Sequence, residues 1–369
     1  MNICIVAGAR PNFIKVAPIV RAVENARAHG RDVSYTLVYA GAEDDPTLEP
    51  SLFQDLQIAP PQVYLNVVSE NQVEITAQVM SAFDRYLQEN QTDAVIVVDD
   101  LSSTMAASIV AKKHGIRLAH LVAGTRSFDI NMPKEINRLV IDGLSDLLFT
   151  AGMGASSTAA REGAEQSKIY MVGNVLLDTL RFNQNRLRKP AFMEAYQERE
   201  YLVFTLNRKA LLERRVNLFT MIQTMVKHAQ EMPIIAPLRG ETARVVEGML
   251  PFMPYYQPHN FLVVPSLNYL EFGWLTAHAK GIITDSGNVA EEATFNGVPC
   301  ITLNSYTEHI ETVKQGTNEL VGEDAEKLAS LMKLMVEGNW KHSELPDRWD
   351  GRTAERILSI LRSEVESRN

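Results

Sequence analysis

The chain of 369 residues contains only two cysteines, Cys4 and Cys300, and each lies in an apolar run (NICIVAG and GVPCITL). Two such residues provide no disulfide framework, and a buried free thiol is the simplest interpretation of each. No apolar run reaches the roughly 18 residues of a membrane-spanning helix, and no basic segment followed by a long apolar one opens the chain. These absences predict a cytoplasmic protein that has no membrane partner.

A surplus of positive charge is also absent, because 36 lysines and arginines face 45 aspartates and glutamates, a formal net charge of −9. Without a long basic run or interleaved basic and aromatic residues, a nucleic-acid partner is not expected. The eight histidines show no H-x-x-x-H spacing, and neither a Cys–His arrangement nor G-x-S-x-G occurs. These absences argue against a metal site and an acyl-transfer triad, and we expect neither a metal nor a cofactor.

What the sequence does have is a regular alternation of short apolar segments with longer segments of helical periodicity. The predicted strands are NICIVAG, VSYTLVYA, DAVIVVDD, RLAHLVAG, LLFTAG and KIYMVGN in the first half, and YLVFTL, PIIAPL, NFLVVP, GIITD and PCITL in the second. The predicted helices are Phe13–His29, Thr76–Asn90, Thr104–His114, Glu135–Leu144, Leu211–Glu231, Glu241–Leu250, Tyr269–Ala279 and Val289–Asn296. Near-continuous apolar strands that alternate with helices predict parallel sheets covered on both faces.

Two such series predict an α/β protein with two doubly wound, Rossmann-like domains. We expect an N-terminal domain over residues 1–180 and a C-terminal, nucleotide-binding domain over residues 195–350, joined through the polar segment Arg181–Glu200. A final helix from about Arg352 to Val365 lies in residues 351–369, which we expect to pack back on the N-terminal domain. Ligands of such folds bind beyond the carboxyl ends of the strands, so we expect the site in the cleft between the domains.

The first predicted strand is followed by GARPNFIKVAP, residues 8–18. Gly8 permits a tight turn, and Arg10 stands at the end of a strand where a helix begins. A cation beside a helix N-terminus suits a phosphate or a carboxylate. A structural salt bridge is the alternative role for Arg10.

A second polar segment, TDSGNVAEEATFNGVPC, covers residues 284–300. Ser286, Gly287 and Asn288 open a helix whose first free N–H groups can bind a diphosphate, and one of the glutamates that follow can accept hydrogen bonds from ribose hydroxyls. The alternative is an ordinary serine cap followed by glutamates that the helix dipole favours.

Two further polar segments follow predicted strands. In DDLSSTMAAS, Asp100 is either a general base at the end of a buried strand or a helix cap. In HLVAGTRSFDINMPKEINR, residues 120–138, Arg126 lies in a loop, and Lys134 and Arg138 share one face of a predicted helix. A solvated loop with a charged helix start is the alternative for this segment.

Taken in order, these segments resemble the non-hydrolysing UDP-N-acetylglucosamine 2-epimerase family. The resemblance rests on GARPNFIKVAP, DDLSSTMAAS, AGTRSFD with PKEINR, VGNVLLD (Val172–Asp178), TDSGNVAEEATFNGVPC with YTEHIETVKQGTNELVG, and WDGRTAERI (Trp349–Ile357). These motifs span nearly the whole chain. The resemblance implies a glycosyltransferase-B-like fold, a UDP-sugar substrate, a homodimer and a part in the synthesis of cell-surface polysaccharide.

The reaction that this resemblance implies is the interconversion of UDP-GlcNAc and UDP-ManNAc, or of a related UDP-sugar. In the family, UDP leaves by anti elimination to give a 2-acetamidoglucal and then adds again, with the opposite configuration resulting at C2. The resemblance implies that the catalytic residues are Asp100, Lys134 and Glu135. It implies that the substrate-binding residues are Arg10, Lys15, Arg126, Arg138, Arg208, Ser286, Gly287, Asn288, Glu292 and Glu308.

The sequence departs from the family pattern at several positions where proton transfer is expected. Val122 and Lys134 stand where the family has glutamates, Asn207 stands where it has a histidine, and His309 stands where it has an arginine. Valine cannot carry a proton, so these departures predict a diverged member that lacks several catalytic residues. Two alternatives to an epimerase therefore stay open: a pseudoenzyme that binds a nucleotide sugar, and a hydrolase or transferase that acts on a UDP-sugar.

Overall fold

Two parallel β-sheets organise the structure, a computed structural model that describes residues 1–196 and 200–366. The chain divides into two units. We call Met1–Asn183 together with Asp347–Asn369 the N-unit, and Gln184–Pro346 the C-unit. The predicted segments 181–200 and 351–369 include residues 197–199 and 367–369, which lie outside the described residues.

The N-unit contains a seven-stranded parallel sheet with the order β3-β2-β1-β4-β5-β6-β7. Its strands are β1 (Asn2–Ala7), β2 (Ser34–Tyr39), β3 (Val63–Tyr64), β4 (Ala94–Val98), β5 (Arg117–Leu121), β6 (Leu147–Thr150) and β7 (Ile169–Met171). The helices between and after them are α1 (Arg10–Ala28), α2 (Pro50–Leu56), α3 (Gln72–Glu89), α4 (Ser102–Lys113), α5 (Pro133–Leu144), α6 (Met153–Arg161) and α7 (Val175–Asn183).

The C-unit repeats this plan with a six-stranded parallel sheet in the order β10-β9-β8-β11-β12-β13. Its strands are β8 (Leu202–Phe204), β9 (Ile234–Pro237), β10 (Phe261–Val264), β11 (Gly281–Thr284), β12 (Cys300–Thr302) and β13 (Asn318–Leu320). Its helices are α8 (Lys209–Glu213), α9 (Arg215–His228), α10 (Gly240–Met249), α11 (Tyr269–Ala277), α12 (Gly287–Asn296), α13 (Glu311–Lys314) and α14 (Ala325–Val336). The prediction of two doubly wound parallel α/β domains is therefore confirmed.

The strand order reverses at one point in each sheet, and these points locate the polar segments. In the N-unit, β1 pairs with both β2 and β4. In the C-unit, β8 pairs with both β9 and β11. Every residue of β4 is buried, as is every residue of β11, because helices cover both faces of the sheet. The loops after β1, β4, β8 and β11 therefore flank the crevices where doubly wound folds bind ligands.

The last helix, α15 (Thr353–Glu366), packs on α1 and α7 in the N-unit. Its first turn is capped from α7, because the Asp178 carboxylate accepts hydrogen bonds from the backbone N–H groups of Thr353 (3.0 Å) and Ala354 (2.7 Å). Gly173 has φ of 101°, and a Cβ there would lie 2.1 Å from the carbonyl oxygen of Arg348. The motifs VGNVLLD and WDGRTAERI thus contact each other at the start of α15 and hold this helix on the N-unit.

Several boundaries differ from the predicted ones for local reasons. Helix α1 begins at Arg10, three residues before the predicted start at Phe13, because Pro11 suits the first turn of a helix. The single helix predicted over Leu211–Glu231 is two helices, α8 and α9, separated at Arg214 with ψ of 67°. The sequence patterns did not reveal α2, α6, α7, α13 and α14, or the short strands β3 and β13.

Both cysteines are free and buried, as predicted. Burial raises the pKa of the Cys300 thiol to about 12, so that side chain stays protonated and behaves as a small apolar group. None of the helices in residues 1–196 and 200–366 is long and apolar enough to cross a membrane.

Candidate functional site

Asp100 follows β4 at the reversal point of the N-unit sheet and is held by one face of α5. Its Oδ2 accepts hydrogen bonds from Arg138 Nε (2.9 Å) and Nη2 (2.5 Å). The Lys134 ammonium lies 3.5 Å from Oδ1, and the Asn137 side-chain amide donates to the Asp100 carbonyl at 2.8 Å. Asp100 and Arg138 are buried, whereas 59% of the Lys134 side chain is exposed. One carboxylate oxygen is therefore fixed by arginine, and the other faces a lysine at the surface.

Glu135 anchors the loop that precedes α5. Its carboxylate accepts hydrogen bonds from the backbone N–H groups of Ser127 and Phe128 (both 2.9 Å), from the Ser127 hydroxyl (3.0 Å) and from Arg138 Nη1 (3.0 Å). Burial alone would raise the pKa of Glu135, but these donors together hold it below its ordinary value. They also hold Phe128 in the left-handed region, at φ of 61°. In this structure the Glu135 carboxylate thus stabilises the loop before α5. This structural role differs from the catalytic role expected from the sequence.

We expect Glu135→Gln to lower the free energy of unfolding at pH 7 by about 1–3 kcal/mol, because the amide cannot satisfy every donor around this buried position. A depressed folded-state pKa stabilises the fold above the unfolded value of about 4.3. That contribution disappears as pH falls through the folded pKa. Urea unfolding should therefore show a difference between wild type and variant that shrinks below about pH 4. Glu165→Gln, at an exposed glutamate, is the control; a pH-independent difference would contradict the assignment.

Asp99, which the sequence did not single out, lies beside Asp100 in the left-handed region, at φ of 59°. Its carboxylate accepts hydrogen bonds from Lys15 Nζ (2.6 Å) and from the Asn12 side-chain amide (2.8 Å). Asn12 Oδ1 in turn accepts from the backbone N–H groups of Gly8 (2.9 Å) and Ala9 (3.1 Å). The loops after β1 and β4 are thereby joined. Lys15, expected to bind substrate, is buried and paired with a carboxylate.

A second buried network joins β5 to α5 and α6. His120 Nδ1 lies 2.6 Å from Asp142 Oδ1, and Arg126 Nη1 lies 2.8 Å from Asp142 Oδ2. Arg126 also binds the Glu162 carboxylate, with Nη2 at 2.5 Å from Oε2. Burial alone would raise the pKa of Asp142, but His120 and Arg126 hold it below its ordinary value. Arg126, expected to bind substrate, is committed to these two carboxylates.

Two cavities open on these N-unit residues. One of about 560 Å³ is bounded by Gly8 and Ala9 after β1 and by Ser102 and Ser103 at the start of α4. Arg10, the expected phosphate ligand, is half-buried at the first residue of α1, next to Ala9. The other cavity, of about 520 Å³, is lined by Arg126, by Asp142 of α5 and by Glu162, which follows α6. The first cavity lies at the strand ends, where a ligand of this fold is expected.

In the C-unit, the loop after β11 is held by hydrogen bonds around Asp285. Its Oδ2 accepts from the backbone N–H groups of Asn207 (2.8 Å) and Arg208 (2.5 Å), which follow β8. Ser286 is the N-cap of α12, and its hydroxyl accepts from the Val289 N–H at 3.4 Å. Gly287 is exposed, and Asn288 is half-buried. The first turn of α12 thus presents backbone donors at the second reversal point.

Two buried glutamates lie in the next turn of α12. Burial, and after it the neighbouring Glu291, raises the pKa of Glu292 to about 8. Glu291 Oε1 lies 2.6 Å from His309 Nε2, in the segment that follows β12. Glu308, beside His309, is exposed. At neutral pH the Glu292 carboxyl is therefore largely protonated, and it can both donate and accept a hydrogen bond.

Arg208 links the loop after β8 to the loops after β12 and β13. Its Nη1 donates to the Leu303 carbonyl (3.0 Å) and to Asn304 Oδ1 (3.1 Å), and its Nη2 binds Glu323. Glu323 also accepts from Arg214 Nη1 at 2.9 Å. Arg208, expected to bind substrate, is therefore already paired.

In the N-unit the structure thus brings together Asp100, Lys134, Glu135 and Arg138. In the C-unit it places Ser286 at the N-cap of α12, and Gly287, Asn288 and Glu292 in that helix. Among the polar residues of these networks, Asp99, His120, Asp142 and Glu162 were missed from the sequence. A charged or imidazole side chain inside an apolar strand, such as His120 in RLAHL, was an available signal. No group of three or more His, Cys, Asp and Glu in the described parts of the chain is placed to hold a metal ion.

Comparisons with known proteins show the family and the fold. A family model described as UDP-N-acetylglucosamine 2-epimerase matches residues 25–362. The UDP-N-acetylglucosamine 2-epimerase of Methanocaldococcus jannaschii is 31% identical over an alignment of 370 positions, which covers 98% of this chain and 99% of that protein. The crystal structure of that enzyme in complex with UDP-GlcNAc and UDP has a TM-score of 0.84 to this chain, at 31% identity, over 98% of this chain and 100% of that one.

Two further proteins extend the comparison. The UDP-2,3-diacetamido-2,3-dideoxy-D-glucuronate 2-epimerase of Pseudomonas aeruginosa is 30% identical over 325 residues, which are 87% of this chain and 88% of that protein. The apo lipopolysaccharide outer core galactosyltransferase WaaB is only 12% identical, with a TM-score of 0.55 over 100% of this chain and 98% of that one. The second likeness concerns the fold alone, which is the glycosyltransferase-B-like fold.

Proposed function

The chain belongs to the UDP-N-acetylglucosamine 2-epimerase family, and we propose that it interconverts UDP-GlcNAc and UDP-ManNAc, or the C2 epimers of a related UDP-sugar. The observation that carries this proposal is the Asp100 carboxylate at the end of β4. Arg138 fixes one of its oxygens, and Lys134 faces the other at 3.5 Å. Such a pair supplies one group that accepts a proton and one that donates it.

In the proposed reaction, a base removes the proton at C2 while the bond between C1 and the UDP oxygen breaks. The electron pair of the C2–H bond forms the C1–C2 double bond, and UDP leaves with the C1–O pair. In the second half-reaction the UDP oxygen adds to C1 again, and the electron pair of the double bond takes up a proton on the other face of C2. We assign the two proton transfers to Asp100 and Lys134. Arg138 balances the negative charge of Asp100, and Glu135 holds the loop in front of it.

The UDP moiety needs donors for its diphosphate and a partner for its ribose hydroxyls. In the C-unit, Ser286, Gly287 and Asn288 open α12, whose N-terminal amides and dipole favour an anion. The largely protonated Glu292 can bond a ribose hydroxyl, and the exposed Glu308 is a further polar partner. These four C-unit residues and Glu308 form the proposed nucleotide grip.

Apart from Arg138, the arginines and the lysine expected at the substrate divide into two groups. Arg10 begins α1 beside the 560 Å³ cavity, and we retain it as the cation for the departing diphosphate. Lys15, Arg126 and Arg208 are paired with Asp99, Asp142 and Glu323. We propose that these three act by fixing the loops around the site.

A second candidate function is that of a pseudoenzyme or a UDP-sugar hydrolase, and Val122 favours it. Val122 directly follows β5 and has φ of 66°. Its side chain carries no ionisable group. A β-branched residue rarely adopts that conformation, so Val122 occupies a strained position without supplying the proton-transfer group that the family pattern has there.

Incubation with UDP-GlcNAc in D₂O separates these functions. We expect NMR spectra to show deuterium incorporated at C2 of both epimers. Release of free UDP with no labelled epimer would favour hydrolysis. Binding of UDP without either change would favour the pseudoenzyme. The same assay with UDP-2,3-diacetamido-2,3-dideoxy-D-glucuronate tests the activity named for the Pseudomonas relative.

We also propose that the protein works as a homodimer in the cytoplasm, where its two free cysteines stay reduced. Exposed apolar side chains support the dimer, because exposed apolar patches often mark interfaces. Ile136 and Leu139 share a face of α5 and are 46% and 38% exposed, and Phe128 and Ile130 in the preceding loop are 72% and 60% exposed. Sedimentation velocity should give a dimer that Ile136→Glu weakens; a monomer at all protein concentrations would refute this.

A further inference from the structure

His120 lies in β5 between two groups that can only accept hydrogen bonds. Its Nδ1 is 2.6 Å from Asp142 Oδ1, and its Nε2 is 2.9 Å from the backbone carbonyl oxygen of Asp99. A carbonyl carries no proton, and Asp142 is ionised because it also accepts from Arg126 and from the Gly124 N–H at 3.0 Å. A neutral imidazole has one N–H, so it can satisfy only one of the two acceptors. The doubly protonated ring satisfies both.

The charges around the ring compensate a buried imidazolium. The Asp142 carboxylate faces it from α5, and the Asp99 backbone carbonyl faces it from the end of β4. Arg126 contacts Asp142 and is also paired with Glu162, which follows α6, and the Asp99 carboxylate is paired with Lys15 on α1. The imidazolium is thus paired with Asp142, Arg126 with Asp142 and Glu162, and Lys15 with Asp99, so each of these buried cations has an opposite neighbour.

The bond to Asp99 lies at a strained point of the backbone. Asp99 has φ of 59°, in the left-handed region that residues other than glycine seldom adopt. The next carbonyl, that of Asp100, accepts from the Asn137 side chain at 2.8 Å. Two successive carbonyls are thus fixed by side chains from β5 and α5, and together they set the direction in which the Asp100 side chain leaves the backbone.

We propose that His120 is a positioning residue which, as an imidazolium, holds the Asp99 carbonyl in the left-handed turn and thereby aims the Asp100 carboxylate at the substrate. His120 does not touch the substrate. The kinetic part of the test rests on the proposed function, whereas the structural part does not.

Two substitutions separate positioning from a purely structural role. In His120→Gln, the side-chain amide reaches as far as Nε2, so it can still donate to the Asp99 carbonyl. In His120→Asn, the amide reaches only as far as Nδ1, so it keeps the bond to Asp142 and loses the bond to Asp99. We expect His120→Asn to lower kcat about 10²-fold with KM little changed, because small misplacements of a reacting group cost that much. His120→Gln should retain distinctly more activity. If Asn retains as much kcat as Gln, the tie to Asp142 is what matters and the proposal fails.

The structural readouts do not depend on activity. In protein labelled with ¹⁵N-histidine, the His120 ring should show two protonated nitrogens at pH 7. A crystal structure of His120→Asn should show Asp99 outside the left-handed region and the Asp100 side chain turned. One unprotonated ring nitrogen, or an unchanged Asp99–Asp100 backbone, would overturn the proposal. A wild-type protein inert towards UDP-sugars would refute the proposed function and leave these two measurements to decide the part that His120 plays.

Discussion

Asp100→Asn is expected to lower the kcat of epimerisation by about 10²–10⁴-fold, the usual cost of removing a general acid or base. Asparagine has the same shape, so its amide oxygen still accepts from Arg138, and the backbone bond from Asn137 is unaffected. It cannot take up the C2 proton. The affinity for UDP should stay close to that of the wild type, because the proposed nucleotide grip lies in the C-unit. Initial rates from coupled or NMR assays, together with UDP titration, measure both quantities.

The matched control is Asp129→Asn, which removes the same charge from an exposed aspartate in the loop before α5. The Asp129 carboxylate bonds only locally in this structure, to Asn131. We expect its kcat to stay near that of the wild type. If Asp100→Asn retained more than a tenth of the wild-type kcat, Asp100 would not be the group that transfers the proton, and Asp99 would become the next carboxylate to test.

The strands and their burial were predictable from the sequence, because strands buried on both faces are almost uniformly apolar. The same uniformity hides their register. In the structure, Val97 is paired with His120 and Val98 with Leu121, which brings the Asp99 carbonyl to the His120 ring. An apolar strand with no alternation does not specify which residue faces which. The network of Asp99, His120 and Asp142 could therefore not be predicted from the sequence.

Helix α5 shows a different limit. Its sequence, PKEINRLVIDGL, is strongly amphipathic, and the usual expectation places the apolar face in the core and the charged face in water. In the structure Glu135, Arg138 and Asp142 are buried, whereas Ile136 and Leu139 are exposed. The charged face turns inward because its partners, Asp100, His120 and the loop amides, come from other segments. A solvated charged helix start was a reasonable alternative from the sequence, and the family resemblance was what pointed to an active-site loop.

Loss of the Arg138 guanidinium is expected to lower the stability of the protein by several times more than loss of an exposed arginine. Arg138 is 1% exposed and binds Asp100 and Glu135 at once. Removing one partner of a buried ion pair typically costs about 3–5 kcal/mol, because the remaining charge stays buried without compensation. We expect Arg138→Met to lower the free energy of unfolding by about that amount in urea titrations at pH 7. Arg85→Met, at an exposed arginine of α3, should change it by less than about 1 kcal/mol.

A double-mutant comparison tests whether the stability lost in Arg138→Met comes from leaving the Asp100 carboxylate without its counter-charge. Adding Asp100→Asn to Arg138→Met removes a carboxylate that would otherwise be left uncompensated, so the double variant should be more stable than Arg138→Met alone, although inactive. Residues in one network couple in this way, whereas independent residues give additive losses. Strict additivity would show that Asp100 and Arg138 do not stabilise each other. Recovery of stability without recovery of kcat would show that Arg138 stabilises the fold by compensating the charge of the buried Asp100 carboxylate, which the reaction requires.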